Sequence, residues 1–143
     1  MNTFLPYESY VASAAALDYK RLGKQRIECI TLINILSKNI TMGSWVNHPA
    51  TLMWKGYVPQ LIVYYNCILA EWIKRGYNSK LDFIFPSDPN SPKPPWLGKE
   101  EFHSSHRQTL LFKDFKHYSQ FGWTETPQYK YWWPTKEMKE LEK

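Results

Sequence analysis

The stretch DYKRLGKQRIECITLINILS, residues 18–37, decides the fold of this protein. Asp18 is a suitable helix N-cap, and no proline interrupts the stretch. At about 100° per residue, the side chains of Leu22, Cys29 and Ile33 fall on one side of a helix. We therefore predict a helix over residues 18–37 that buries this apolar stripe in a core.

A second face of the same helix changes character along its length. Its first half is polar and its second half is apolar. The polar residues are Arg21, Lys24, Gln25 and Glu28, and the apolar residues that follow them are Leu32 and Ile35. An ordinary surface helix would stay polar along the whole face, so this pattern predicts a helix that starts at a cleft and ends in the core. Gly23, inside the polar half, favours close packing of another element against the backbone.

Further helical regions are predicted downstream. Residues 49–75 form two pieces separated by Gly56 and Pro59, and residues 100–113 form a third helix with a short helical extension. Between them, the proline-rich residues 77–99 are typical of an ordered surface loop.

Strand patterns are weak throughout, so we expect a mainly α fold. The prediction is a single compact domain over residues 1–143, with about three main helices, long irregular loops and an aromatic C-terminal tail. The motif YKYWWP, residues 129–134 of that tail, can stack on bases or line a groove, and it can equally fill the core of a small domain.

The composition narrows the class of protein. The chain has 143 residues, of which 43% are hydrophobic and 22% charged, and this is typical of a globular domain. A net charge of +5 and 17% aromatic residues suit a polyanionic partner. No apolar run reaches the length of a membrane span, so we expect no membrane association and a cytoplasmic location in a bacterial or virus-infected cell. Cys29 and Cys67 are expected to be free thiols.

The first candidate for chemistry is Glu28, a single glutamate among the basic groups of DYKRLGKQRIE, residues 18–28. A carboxylate that surrounding cations keep ionised suits the stabilisation of a developing cation or the orientation of a nucleophile. The alternative is a solvated helix face with ordinary ion pairs such as Lys24–Glu28.

Two other motifs carry histidines. In NHPATLMWKG, residues 47–56, His48 can cap a helix or meet a phosphate, and Lys55 follows an aromatic residue. In EFHSSHRQTLL, residues 101–111, a phosphate-binding face is indicated by the spacing of His103, His106 and Arg107. The alternatives for the second motif are a surface cluster that caps the tail and a zinc site, although no third ligand follows at a fixed offset.

Taken in order, these motifs resemble the pyrimidine dimer DNA glycosylase family, of the phage endonuclease V type. The stretches that carry the resemblance are TFLPY, LDYKRLGKQRIE, NHPATLMWKGY, EWIKRGYN, FHSSHRQTLL and YKYWWP, which span nearly the whole chain. None is specific alone, and their order and the matching chain length carry the resemblance.

The resemblance implies a bifunctional DNA repair enzyme. In that family the N-terminal amine attacks the sugar C1′ of a damaged pyrimidine nucleotide, and the resulting imine allows strand cleavage by β-elimination. Glu28 corresponds to the family's catalytic glutamate. The implied partner is double-stranded DNA, bound by a monomer without cofactor or metal, and the expected DNA contacts are Arg21, Lys24, Gln25, Arg26, His48, Lys55, His103, His106 and Arg107.

The identity of the nucleophile stays open at this point. Residue 2 is Asn, which is a poor substrate for removal of the initiator Met, so the amine can belong to Met1 or to Asn2. A lysine such as Lys20 or Lys24 and a water molecule are the other candidates. An α-amine has a pKa near 7.7–8.0 and a lysine near 10.4, which favours the chain terminus for imine formation at neutral pH.

Two rival functions follow from the same residues. The first is a non-catalytic DNA-binding protein of the same fold, or a glycosylase for another modified base without lyase activity. The second is a metal-dependent nuclease built on His103 and His106.

Overall fold

The computed structural model describes residues 2–134, and every regular element in that range is helical. The elements are α1 (Tyr10–Ala16), α2 (Tyr19–Ser37), α3 (Pro49–Leu52), α4 (Val58–Lys74), α5 (Glu100–Lys113), α6 (Phe115–Tyr118) and a 3-10 turn (Ser119–Phe121). The predicted mainly α fold with three main helices, α2, α4 and α5, is confirmed.

Helix α2 has the predicted start and the predicted core face. The Asp18 carboxylate accepts a hydrogen bond from the backbone N–H of Arg21 at 3.4 Å and caps the helix. Leu22, Cys29 and Ile33 are buried in the main core. The helix packs chiefly against α4, which also contacts α1.

Gly23 permits the close approach that its position in α2 suggested. A Cβ atom at this residue would lie 3.0 Å from two ring carbons of Trp72 on α4, closer than side chains normally pack. The indole therefore lies directly on the backbone of α2, and the prediction of close packing is confirmed.

The division of the second helical region is also confirmed, whereas α1 was not predicted. Gly56 lies between α3 and α4 with a φ of 85°, and Pro59 lies in the first turn of α4.

Helix α1 is capped by Ser9 and buries only small side chains, among them Ala14 and Ala16. Because small residues give little hydrophobic periodicity, the pattern that reveals longer helices is missing here.

The loop and the tail are held by polar contacts as well as by packing. The Gln60 side-chain amide donates to the backbone oxygens of Pro89 and Ser91, which attaches the loop over residues 77–99 to α4. The described part of the tail has no helix or strand, and its Trp133 is buried. No helix within residues 2–134 is long and apolar enough to cross a membrane.

The cysteines have the state expected of them. Cys29 is buried in α2 and Cys67 is half-buried on α4, and both are free thiols. Burial raises the pKa of each thiol, well above its ordinary value for Cys29.

An extended segment at the start of the chain runs through the protein interior. Residues 2–6 are all buried, although none of them is helical. Buried backbone polar groups must find partners within the protein. For this segment most of the partners come from side chains of α2, α4 and α5, and they determine the geometry of the site described next.

Candidate active site

The backbone nitrogen of Asn2 meets the carboxylate of Glu28. Asn2 N donates to Glu28 Oε2 at 3.1 Å, and the side chain of Gln25 donates to the same oxygen at 3.2 Å. The Nζ atom of Lys24 lies 3.8 Å from the other carboxylate oxygen. Glu28 is only 8% exposed, so these contacts hold its carboxylate in one orientation.

This junction lies in a cavity of about 250 Å³ that is lined mainly by cations and aromatic rings. Glu28 and the segment from Asn2 form one part of the lining. Gln25 also lines the cavity, and the other lining residues are cationic or aromatic: Lys20, Arg21, Lys24, Lys113, Phe4, Tyr129 and Tyr131. A cavity with several cations and one carboxylate is suited to an anionic ligand, and it offers a single carboxylate as an acid–base group.

Lys113 is a cavity residue that sequence reasoning missed. It is the last residue of α5, and its Nζ lies 4.9 Å from the centre of the Tyr129 ring. Burial lowers its pKa, and the charges of Arg21 and Lys24 lower it further. No pattern in the sequence places α5 beside the polar half of α2, so no signal could have found this residue.

Gln25 serves the protein interior. Its Nε2 donates to the backbone oxygen of Asn2 at 2.7 Å, and its Oε1 accepts from Phe4 N at 3.0 Å and from the hydroxyl of Tyr64 at 2.8 Å. With the bond to Glu28, every donor and acceptor of this amide is occupied, and the residue is 1% exposed. Gln25 thus positions the terminal segment against Glu28, and its predicted contact with DNA stays a prediction.

His103 and His106 hold opposite sides of one peptide residue, Leu5. Nδ1 of His106 accepts from Leu5 N at 2.9 Å, whereas Nδ1 of His103 lies 2.8 Å from Leu5 O and must donate to it. His103 Nε2 accepts from Gly98 N at 2.9 Å. Burial lowers the pKa of both imidazoles, that of His106 to about 3, so both are neutral.

The two histidines face the protein interior. Both are buried, His106 completely, so their placement gives no support to the predicted DNA contacts, which stay a prediction. The spacing correctly placed them on one face of α5, but that face is turned towards the protein. The same contacts occupy both ring nitrogens of His103 and Nδ1 of His106, and residues 2–134 contain no group of three or more potential metal ligands.

Arg26 and Arg107 are engaged in contacts away from the cavity. The Arg26 guanidinium lies 4.2 Å over the Trp72 ring and donates to Ser79. Arg107 pairs with Glu100 and Glu125 and donates to the backbone oxygen of Pro6 at 2.8 Å. Neither side chain lines the Glu28 cavity, so the predicted phosphate contacts at these two positions receive no support from their placement.

The motif around His48 also supports the terminal segment. The His48 Nδ1 atom accepts from Ala50 N at 3.0 Å, so this residue is the N-cap of α3, and burial lowers its pKa. Trp54 is buried and donates to the hydroxyl of Thr3 at 3.0 Å. Lys55 is exposed beside a different groove, so the motif contributes an anchor for the N-terminal segment and no wall of the cavity.

The remaining predicted residues are placed as follows. Arg21 and Lys24 line the cavity, and their contact with DNA stays a prediction. Asn2 supplies the nitrogen at Glu28, whereas Met1 lies outside the described residues.

A model of the pyrimidine dimer DNA glycosylase family matches residues 1–85 of this chain, which is more than half of it. The chain belongs to that family. Membership implies DNA glycosylase activity and a DNA substrate, and the resemblance noted in the sequence is confirmed. Comparisons with curated proteins and with solved structures gave no match.

The family match covers only part of the candidate site. It includes Asn2, Glu28 and the polar half of α2, whereas Lys113 and Tyr129 lie beyond residue 85. The cavity therefore combines a terminal segment and helix from the matched region with a wall from the second half of the chain.

Proposed function

We propose that this glycosylase excises damaged pyrimidines, with pyrimidine dimers in double-stranded DNA as its substrate, and then cleaves the strand by β-elimination. The observation that carries this proposal is the 3.1 Å contact between Asn2 N and Glu28 Oε2 inside a cationic cavity. A nitrogen near the chain terminus and a carboxylate are the two groups that imine chemistry at a sugar carbon needs.

The nitrogen at this place changes character with the processing of the chain. With Met1 present, Asn2 N is an amide that donates to Glu28; once Met1 is removed, the same atom is a primary amine. At pH 7 about a tenth of an ordinary α-amine is unprotonated. This unprotonated fraction is the nucleophile.

In the first step the amine attacks C1′ while the bond from C1′ to the base breaks. The electron pair of that bond leaves with the base, which takes up a proton, and the attacking nitrogen loses one. Glu28 lies where it can stabilise the positive charge that develops on the sugar and accept the proton from nitrogen. The C1′–O4′ bond then breaks, O4′ is protonated, and a protonated imine remains.

In the second step a base removes a proton from C2′, and the electron pair moves towards the imine. The C3′–O bond breaks, and the phosphate leaves with its electron pair. Hydrolysis of the imine by water then frees the protein amine. Glu28 supports this step as the base, since it is the one carboxylate that lines the cavity within residues 2–134.

Trapping of the imine tests the proposal. The protein is incubated with a duplex that carries one pyrimidine dimer, or with an abasic duplex, in the presence of borohydride, and the cross-linked peptide is identified by mass spectrometry. We expect the cross-link on the α-amine of the N-terminal peptide. An Asn2→Ala variant, whose small second residue favours removal of Met1, tests whether Asn2 carries that amine and should increase trapping.

The other outcomes identify the alternatives. A cross-link on Lys20, Lys24 or Lys113 would move the nucleophile to a side chain. Base release without a cross-link would point to attack by water, and binding without base release would favour a non-catalytic DNA-binding protein.

A further inference from the structure

We propose that Lys113 stabilises the phosphate that departs when the strand is cleaved, so that this residue acts in β-elimination and hardly in base release. The inference rests on the proposed function, because it concerns the second of the two steps described above. Glu28 cannot serve the departing phosphate, since two negative charges repel each other. The cations of the cavity are therefore the candidates for this task.

The departing phosphate gains negative charge as the bond from C3′ to oxygen breaks. Before cleavage it is a diester with a single negative charge. Afterwards the electron pair of that bond remains on the phosphate oxygen, and the resulting monoester carries a charge of about −1.5 to −2 at pH 7. A cation held at this oxygen keeps its own protons, and because its attraction for the phosphate grows towards the transition state, it accelerates the step.

Lys113 lies in the cavity that holds the reacting groups. It is the last residue of α5, and it lines the same space of about 250 Å³ as Asn2 and Glu28. The phosphate is joined to the attacked C1′ through C2′, C3′ and O3′, so it must stay close to the junction of Asn2 and Glu28. Lys113 is exposed, and a DNA phosphate can therefore reach its side chain from outside.

Two of the other cations in the cavity already have carboxylate partners. The Arg21 guanidinium lies 3.2 Å from the Asp18 carboxylate, and Lys24 Nζ lies 3.8 Å from that of Glu28. Within residues 2–134, by contrast, Lys113 forms no ion pair with a carboxylate. Its positive charge is thus available to a ligand, whereas those of Arg21 and Lys24 are partly neutralised.

An aromatic ring holds Lys113 at the cavity wall. Its Nζ atom lies 4.9 Å from the centre of the Tyr129 ring. The tail that carries Tyr129 is fastened to α5 by a bond from Thr109 Oγ1 to the backbone oxygen of Lys130 at 3.0 Å. Lys20 also lines the cavity, but no aromatic ring holds its ammonium group in the part of the chain that the structure describes. Ring and tail thus restrict the Lys113 ammonium to the cavity.

The charges around Lys113 favour the binding of an anion. Burial lowers the pKa of Lys113, and the positive charges of Arg21 and Lys24 lower it further, while the negative charge of Glu28 acts in the opposite direction. The three cations repel one another across the cavity, and a phosphate between them relieves this repulsion. The relief is greatest for a phosphate with two negative charges, which is the product of strand cleavage.

Single-turnover rates at saturating protein separate the two steps. Strand cleavage is measured on an abasic duplex, and base release is measured on a duplex that carries one pyrimidine dimer. Lys113→Gln should lower the rate of strand cleavage about 10- to 100-fold, less than the loss of a buried oxyanion donor, because this lysine is exposed. Base release should stay within about twofold of wild type, since no phosphate departs in that step. Saturation removes the weaker binding of the variant from both rates.

Two further variants and a second readout complete the test. Lys113→Arg keeps the positive charge and should keep strand cleavage within about threefold of wild type. Lys116→Gln removes an exposed cation of α6 that lies outside the cavity, and it should leave both rates unchanged. In borohydride trapping on the abasic duplex, the imine forms before the slowed step, so Lys113→Gln should give at least as much cross-linked protein as wild type.

The role of Lys113 is overturned by undiminished strand cleavage in Lys113→Gln, by equal losses in both steps, or by a cross-link on Lys113 itself. If wild type traps an imine at the chain terminus and Lys113→Gln cleaves as fast as wild type, this inference alone fails. If wild type traps no imine, the proposed lyase function fails, and the role of Lys113 fails with it.

Discussion

The polar half of α2 and the polar face of α5 carry similar types of side chain but have opposite surroundings. Both carry basic and amide or imidazole side chains at helical spacing, and both were predicted to contact DNA. Lys24 of α2 faces an open cavity, whereas His103 and His106 of α5 face the backbone of Leu5. Helical spacing shows which side chains share a face, but it does not show what that face meets.

The difference arises from the extended segment at residues 2–6. Because its backbone groups are buried and form no helix or strand, side chains must supply their partners. Gln25, Tyr64 and the two α5 histidines are among these partners. The polar residues of α5 thus hold the chain that brings Asn2 N to Glu28.

The largest expected effect comes from replacing the carboxylate of Glu28, in contrast to the side chains that hold the N-terminal segment beside it. Glu28→Gln should lower base release by about 10²–10⁴-fold, since the amide can neither accept a proton nor stabilise a cation as a carboxylate does. The amide oxygen can still accept from Asn2 N, so folding and binding to a dimer duplex should be retained. Glu71→Gln on α4, which removes an ion pair with Arg75 outside the cavity, is the matched control.

The second effect concerns stability. His106→Ala should lower the free energy of unfolding by about 3 kcal/mol, because it leaves the buried N–H of Leu5 without an acceptor and opens a gap beside Phe102. Lys24→Gln on the exposed wall should change the same quantity by less than about 0.5 kcal/mol. Urea unfolding of both variants measures the contrast, and equal losses would show that the two regions do not differ as described.

The third effect is a loss of stability in acid. In the folded protein burial lowers the pKa of His106 to about 3, whereas the unfolded chain binds a proton near pH 6.5. The stabilisation is therefore present above pH 6.5 and is lost as the pH falls towards 3, and the lowered pKa of His103 acts in the same direction. Between pH 7 and pH 5 His106 alone should cost about 2 kcal/mol.

Denaturant unfolding at several pH values checks this expectation. The dependence should flatten in His106→Ala, which lacks the titrating group. A wild-type stability that does not change between pH 7 and pH 5 would contradict a neutral, buried imidazole at this position.

The smallest expected effect concerns the contribution of single cations of α2 and α5 to DNA affinity. Lys24→Gln and Lys113→Gln should each weaken duplex binding severalfold and lower the slope of log affinity against log salt by about 1, as expected for the loss of one phosphate contact. Arg26→Gln should leave the slope unchanged, because that guanidinium is held over Trp72. A lower slope for Arg26→Gln would place DNA on the opposite face of α2.

Local features of the sequence predicted α2 well. Its cap at Asp18, its core stripe and the polar arc around Glu28 depend on residues within a few turns of one another, and helical geometry links them directly. The helix at Tyr10–Ala16 was missed for the converse reason, since small side chains carry almost no periodic signal.

The composition of the site depends on contacts between distant parts of the chain. That Glu28 stands at a polar opening of α2 could be read from the sequence, because spacing on one helix determines it. Only the tertiary structure decided three other features. Asn2 N reaches this carboxylate, Lys113 and Tyr129 close the cavity, and the two α5 histidines turn towards the protein interior. The physical reason is that the residue pattern of a helix specifies which side chains share a face. What each face contacts depends on which side chains form hydrogen bonds with the buried backbone of residues 2–6.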